Sequence, residues 1–334
     1  MADFTSYGDI SPRTAAYVVK RLLTRAIPFM VLELFGQAFA LPGRSTKSMT
    51  FRRYNALPTQ PQALVEGVTP GATPLTKTDI TVQLTQYGNR VTVTDIIMDT
   101  HEDDVLDEAT TLMSEQAAQV IETVRYGVLR AGTNVIYANG AARAAVNTPI
   151  TLQLQRRVTR ALKRQNTAPL TTVVKSTPNF GTEAINKAYI GLINPDCEND
   201  VRNMVGADGK SVFVPVEKYG QISPFESEIG KVEDVRYLTS TIFTPFPDAG
   251  GAKGQMLSTS GTNADVYPVL YVGRNAYGIV AFKGKHAVTP MVVNPKPSDS
   301  DPLAQRGHVS WKALTGAVIL NDQWMVRGEV AATA

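Results

Sequence analysis

Hydrophobic and polar positions change period several times along the chain, and each change marks an element. Ile80, Val82 and Leu84 alternate with Thr81, Gln83 and Thr85, and Val91 and Val93 alternate with Thr92 and Thr94. A period of two predicts strand over TDITVQLTQYGNRVTVT, residues 78–94, with Gly88-Asn89 as a turn or bulge. KSMTFRRYNAL, residues 47–57, reads as the companion strand. Beyond Thr100 the apolar steps become three and four. Val105, Leu106, Ala109, Leu112, Met113, Ala117, Val120, Ile121, Val124 and Val128 predict one long amphipathic helix. Thr100 can cap it, and Glu102, Asp103 and Asp104 suit the positive end of its dipole. Arg125 and Arg130 fall in its last turns and Gly132 is a stop. Such a helix is about 40 Å long at 1.5 Å per residue.

A second helix is expected over residues 151–166. Leu154, Val158, Ala161 and Leu162 form one face; Arg156, Arg157, Arg160, Lys163 and Arg164 form the other, with no acid among them. From Tyr189 the chain mixes strands with turns. YIGLINP reads as a buried strand, CENDVRNMV as a short helix, and KSVFVPV, KVEDVRYLTSTIF, YPVLYVG, AYGIVAF and HAVTPMVV as strands. HVSWKALTGAVILNDQWMVRGEV reads as two strands around Asn321-Asp322, and FPDAGGAKG and NPKPSDSDP as solvated loops. The class is α+β, with two prominent helices and an antiparallel majority of strands.

Two segments fit no period. Residues 1–46 start with a short helix from Ala15 to Leu23 and continue as PFMVLELFGQAFAL, apolar but irregular. Residues 1–60 hold eight Lys or Arg against three Asp or Glu. Such an arm, basic and greasy together, cannot hide its phenylalanines alone and is expected to pack on something else. The second segment is FRRYNALPTQPQALVEGVTPGATPL, residues 51–75. Its prolines 58, 61, 70 and 74 oppose a helix or a central strand, yet Leu57, Leu64, Val65, Val68 and Leu75 are too apolar for a flexible linker. With strands on either side, it is the extended tip of a long two-armed loop.

Composition narrows the class. With 334 residues, 43% apolar and 19% charged, the chain can bury a sizeable core in one large or two ordinary domains. A net charge of +3 argues by itself against a dedicated nucleic-acid binder. The lone Cys197 leaves no disulfide within the chain and suits a reducing compartment, and three histidines leave little for a zinc site. The start MADFTSYGDI has no signal-peptide pattern, and the most apolar window, 26–41, is interrupted by Pro28, Glu33 and Gln37. It falls short of the ~20 apolar residues of a membrane span. A soluble protein used without export, with no membrane partner, is the expectation.

Candidate chemistry is thin. GADGKS, residues 206–211, resembles the end of a phosphate-binding loop, but Met204 stands where the pattern needs glycine. A tight Asp-Gly turn explains it. HEDD, residues 101–104, cannot converge on one ion because consecutive helical residues point different ways. His286 and His308 lack ligands at metal spacing, Cys197 has no thiol-enzyme signature, and STSGT at 258–262 is not a nucleophile elbow. No enzyme activity and no cofactor are expected. The basic face of the second helix is either solvated or paired with acids elsewhere, or else a phosphate-facing stripe that does not read sequence.

FRRYNALP, LVEGVTP, QYGNRVTVTD, HEDDVLDEA and a long helix ending RAGTNVIYANG follow one another in order. AYIGLINPDCENDVRN, VPVEKYG, EIGKVEDVRYL and GHVSWKALTGAVILND continue the series. Over roughly residues 50–325 this resembles a family of tailed-phage major capsid proteins with the HK97-like fold. RRYNALP with EGVTP, and AGTNVIYANG, are its specific parts.

The resemblance implies an N-terminal arm over 1–46, an extended β-hairpin loop (E-loop) over 47–95, and a spine helix at about 101–131. It places a peripheral domain at 96–147 and 289–334 and an axial domain at 148–288. It implies self-assembly into an icosahedral shell of hexamers and pentamers around double-stranded DNA, in a virion built in the cytoplasm of a bacterial host. Portal, scaffolding or decoration proteins would be further partners, and DNA a non-specific one. Arg52, Arg53, Tyr54, Leu57, Leu64, Glu66 and Val68 would make inter-subunit contacts, Arg52 and Arg53 against a partner carboxylate unless they pair within the loop. Arg156, Arg157, Arg160, Lys163 and Arg164 would face DNA. The alternatives are an encapsulin-like nanocompartment shell with the same fold, or a soluble α+β enzyme with an unread site.

Overall fold

The structure, a computed structural model, describes residues 31–41, 46–60, 63–64, 66–69, 71–94, 105–174, 182–219, 225–282, 289–297 and 301–334. In chain order its elements are β1 (Gln37–Leu41), β2 (Ser48–Tyr54), β3 (Lys77–Gln83), β4 (Thr85–Thr94), α1 (Val105–Arg130), β5 (Val135–Tyr137) and α2 (Leu152–Arg164). There follow β6 (Leu170–Val174), β7 (Thr182–Ile193), α3 (Glu198–Arg202), β8 (Phe213–Pro215), β9 (Glu228–Val232) and β10 (Val235–Thr239). The last are β11 (Tyr267–Val272), β12 (Tyr277–Phe282), β13 (Thr289–Val293), β14 (Arg306–Ile319) and β15 (Met325–Val330). The expected helix at Ala15–Leu23, the cap at Thr100, HEDD and His286 lie outside the described residues.

The 14-residue β14 organises a five-stranded sheet. One edge pairs antiparallel with β4 from Arg306↔Thr94 to Thr315↔Thr85; the other pairs with β13 along its first half and β12 along its second. β1 adds to β12 in parallel. Val309, Trp311 and Ala313 alternate onto the buried face of β14 and meet Ala109, Met113, Ala117 and Ile121 of α1. Those four helical positions recur every four residues, so the sequence periods of two and four are two sides of one seam. The 26 described residues of α1 make it about 39 Å long.

The second sheet has the order β5-β15-β11-β7-β10-β9-β8, with β6 on β7. Tyr189 and Ile193 of β7, with Val269 and Tyr271 of β11, face α2 residues Leu154, Val158 and Leu162. The alternate residues Ile190, Leu192, Leu270 and Val272 face Tyr126 and Leu129 of α1. Burial on both faces explains why YIGLI and YPVLYV are continuous apolar runs rather than alternating ones. Pro268 is tolerated inside β11 because β7 pairs only with Leu270, Tyr271 and Val272, leaving the proline's side of the strand unpaired. Nine of the twelve described strand pairs are antiparallel; β1–β12, β7–β10 and β5–β15 are parallel.

A buried charge cluster clamps α1 to this sheet. Glu329, fully buried in β15, accepts from Arg143 Nε and Nη2 at 2.8 and 2.7 Å and from Arg327 Nε at 2.9 Å. Arg327 Nη1 donates to Arg130 O, the last carbonyl of α1, and to Gly132 O just beyond it, where the negative end of the helix dipole lies. The AGTNVIYANG segment runs through this joint. Thr133 N donates to Asp322, Asn134 Nδ2 to Met325 O, and Asn139 Nδ2 to Ala145 O, while Asn139 Oδ1 accepts from Asn147 N and Thr148 Oγ1.

Several expectations change. The run 78–94 is not one strand with a turn at Gly88-Asn89: the break is at Leu84, and β4 continues through Gly88. That glycine is needed for close approach, since a Cβ there would sit 2.6 Å from Trp311 O. KVEDVRYLTSTIF is a hairpin of β9 and β10 turning at Glu233, whose φ is 50°. FPDAGGAKG is packed rather than solvated: Gly250 is buried, and Gly251 N donates to Val146 O at 2.9 Å. The described end of the arm packs on its own chain. Phe35 lies 5.3 Å from Phe225, and Val31, Leu32 and Phe35 are core residues.

The sheets also cut across the segments expected as domains. β5 and β15, from 96–147 and 289–334, join the sheet of β6–β11, whereas β12, from 148–288, joins that of β4, β13 and β14. Short connectors at 273–276 and 320–324 carry the chain between sheets, and no compositional shift marks them.

Candidate functional site

β2 and β3 form a separate two-stranded ladder from Ser48↔Gln83 to Tyr54↔Lys77, and residues 55–76 make its tip. Register places Arg52 directly opposite Asp79, and their side chains pair through two bonds, Nε–Oδ1 at 2.8 Å and Nη2–Oδ2 at 3.1 Å. The Arg52 hydrogen bond holds the Asp79 carboxyl below its usual range. Thr50 and Thr81 meet at 3.1 Å two pairs away, on the same face. Asn55 closes the ladder: its N–H donates to Thr76 O at 2.9 Å, Nδ2 donates to Thr76 Oγ1, and Oδ1 accepts from Thr78 Oγ1. The base of the loop is thus pinned by its own side chains, which explains why FRRYN carries polar residues at paired positions.

Above that base every described residue from 54 to 77 is exposed. Leu57 is 51% exposed, Tyr54 64%, Val68 63%, Leu64 75% and Leu75 72%. These are five of the ten large apolar residues exposed among the described residues, gathered on 22 positions of chain. A concentrated apolar projection of this kind costs solvation free energy unless something covers it. The predicted contact residues therefore divide. Tyr54, Leu57, Leu64, Glu66 and Val68 stand on the free part of the loop. Arg52 does not await an outside carboxylate, because Asp79 supplies one from the facing strand. Arg53 lies over the Trp324 ring of its own body at 5.9 Å. Asp79 was legible only through register, which the sequence does not state.

The basic helix also divides. Thr151 caps α2, accepting from Leu154 N, and Gln155 is drawn into the core by bonds to Val232 O and Tyr237 OH, both 2.7 Å. Arg156 pairs with Glu233 (Nε–Oε1 3.0 Å) and Lys163 with Asp234, across the β9–β10 turn, and these hydrogen bonds raise both basic groups. Arg157, Arg160 and Arg164 are exposed and have no carboxylate partner among the described residues. Spacings of three and four put them on one stripe. Glu233-Asp234 looked like the middle of a strand in sequence, so its role as counter-charge was hidden.

The other sequence candidates resolve as structure. GADGKS is a tight turn: Gly206 N donates to Lys210 O at 2.8 Å, and Gly209 has φ 70°. His308 lies beside Thr92 across β4–β14, and burial pushes the Cys197 thiol well up. Among the described residues no group of His, Cys, Asp and Glu could hold a metal, and no helix is long and apolar enough to cross a membrane.

A two-sheet body that carries an apolar hairpin exposed among the described residues suits a subunit of a larger assembly. The family model for phage capsid protein matches residues 77–327, three quarters of the chain, and the chain belongs to that family. Its fold is shared with the capsid of Ralstonia phage GP4, at TM-score 0.64 and 13% identity over 90% of this chain and 87% of that one. It is shared too with the cyanophage Pam1 capsid asymmetric unit, at TM-score 0.63 and 14% identity over 93% and 92%. The capsid of cyanophage P-SCSP1u matches at TM-score 0.58 and 12% identity over 91% and 89%. No curated protein matches the chain in sequence. The HK97-like fold and a shell-forming role as a virion capsid protein follow, and the family is one of structural proteins.

Proposed function

We propose that this chain builds an icosahedral shell of hexamers and pentamers around the double-stranded DNA of a tailed phage, assembled in the bacterial host cytoplasm. The observation that carries the reading is the hairpin tip: Tyr54, Leu57, Leu64, Val68 and Leu75 are each at least half exposed, on a projection pinned at its base. A neighbouring copy covers them, and Glu66 meets a basic group there. Prolines such as Pro58 and Pro74 limit the freedom the tip loses on docking and discourage indiscriminate strand pairing. Each interface can be modest because shell closure makes many at once, each on the order of 1,000 Å². Arg157, Arg160 and Arg164 screen packaged DNA phosphates without reading sequence. Portal and scaffolding or decoration proteins complete the particle, and no catalytic step is required of this chain. The family match favours a phage shell over a nanocompartment of the same fold.

Deleting residues 57–75 tests the reading. The expected product is a folded, soluble subunit that fails to close shells in negative-stain microscopy. Normal shells from the deletion would remove the assigned role of the loop.

A further inference from the structure

The spine helix holds one buried carboxyl that the assembly role does not use. Glu122 is fully buried, one turn before Arg125, which is itself 3% exposed. Its Oε1 accepts the backbone N–H of Val31 at 3.0 Å and of Leu32 at 2.9 Å. Its Oε2 has no hydrogen-bond partner among the described residues. The segment so held, 31–35, leads into β1 at the edge of the five-stranded sheet. Among the described residues three other ionisable groups face the site. Arg125 lies on the same helix, Glu33 on the strapped segment pairs with Arg125 at 3.2 Å, and Tyr277 on β12 donates through its hydroxyl to Leu32 O. The cluster thus sets two carboxyls, Glu122 fully buried and Glu33 partly exposed, against one buried guanidinium, with one Glu122 oxygen unanswered among the described residues.

We propose that Glu122 is a proton-dependent catch that fastens segment 31–35 to the spine helix, tight when the carboxyl is protonated and loosened when it ionises. The neutral acid still accepts both N–H bonds through its carbonyl oxygen, and it escapes the cost of a buried anion with a bare oxygen. Burial, partly offset by Arg125, pushes Glu122 up to about 7. Once the segment lifts, the carboxyl returns to water and to its ordinary range. The sign follows: the open form loses its proton at lower pH than the closed form, so rising pH from about 4.5 to 7 favours opening. The segment of the arm that joins the core is therefore poised to respond to pH near neutrality, whatever the arm contacts in a shell.

The test is amide hydrogen exchange at Val31 and Leu32 in the full-length unassembled subunit, corrected for intrinsic rates, at pH 5.5 and 8. The expected result is a loss of protection on the order of tenfold on going to pH 8. Glu122→Gln should abolish that dependence. If Glu122→Gln does not fold, Glu33→Gln replaces it, and removal of the second carboxylate should move the midpoint to lower pH. Equal protection at both pH values in the wild type, an unchanged dependence in Glu122→Gln, or an unmoved midpoint in Glu33→Gln would overturn the proposal.

Discussion

Replacing Leu64, Val68 and Leu75 together by serine separates assembly from folding. In the protomer these side chains are 75, 63 and 72% exposed, so folding has gained little from them. Full burial of a leucine or valine contributes about 1.5–3 kcal/mol. About two-thirds of that remains to be realised at each position, roughly 1–2 kcal/mol apiece and 3–6 kcal/mol per loop. At 1.4 kcal/mol per decade, each loop-mediated contact should weaken by about 10²- to 10⁴-fold. The unassembled subunit should change by no more than about 0.5 kcal/mol, as surface substitutions do. Sedimentation velocity across a concentration series would read the first quantity, and denaturant unfolding of the unassembled subunit the second. Shells at the wild-type concentration would show that the tip is not covered on assembly. A subunit destabilised by several kcal/mol would show that the tip packs on its own body.

Two further outcomes follow from the buried clamp and the basic stripe. Glu329→Ala leaves Arg143 and Arg327 without their shared carboxylate and should cost about 3–5 kcal/mol of subunit stability, read by urea unfolding, whereas a cost under about 1 kcal/mol would deny the clamp its role. Replacing Arg157, Arg160 and Arg164 by glutamine should leave the fold intact and lower the salt dependence of DNA binding by a log–log slope of about 3, read from affinities at several salt concentrations; an unchanged slope would place the stripe away from DNA.

Much of the architecture was legible because it rests on local periodicity. The steps of three and four in 105–128 require a helix, and the run from His308 to Asn321 reads as a strand. Those two patterns meet as the seam between α1 and β14. The exposure of the loop tip was readable as well, since prolines oppose regular pairing within the loop and the interspersed leucines and valines still demand a cover. What periodicity cannot express is which distant residues become neighbours. Asp79 answers Arg52 only because the ladder register sets them opposite, and Glu233 and Asp234 neutralise Arg156 and Lys163 only because a hairpin turns beneath α2. The membership of β12 and β15 in opposite sheets, the packing of Phe35 into its own core and the burial of Glu122 belong to the same class. Side-chain chemistry and spacing act over a few residues and dictate local structure; pairing, counter-charge and desolvation act through space and exist only once the chain has closed on itself.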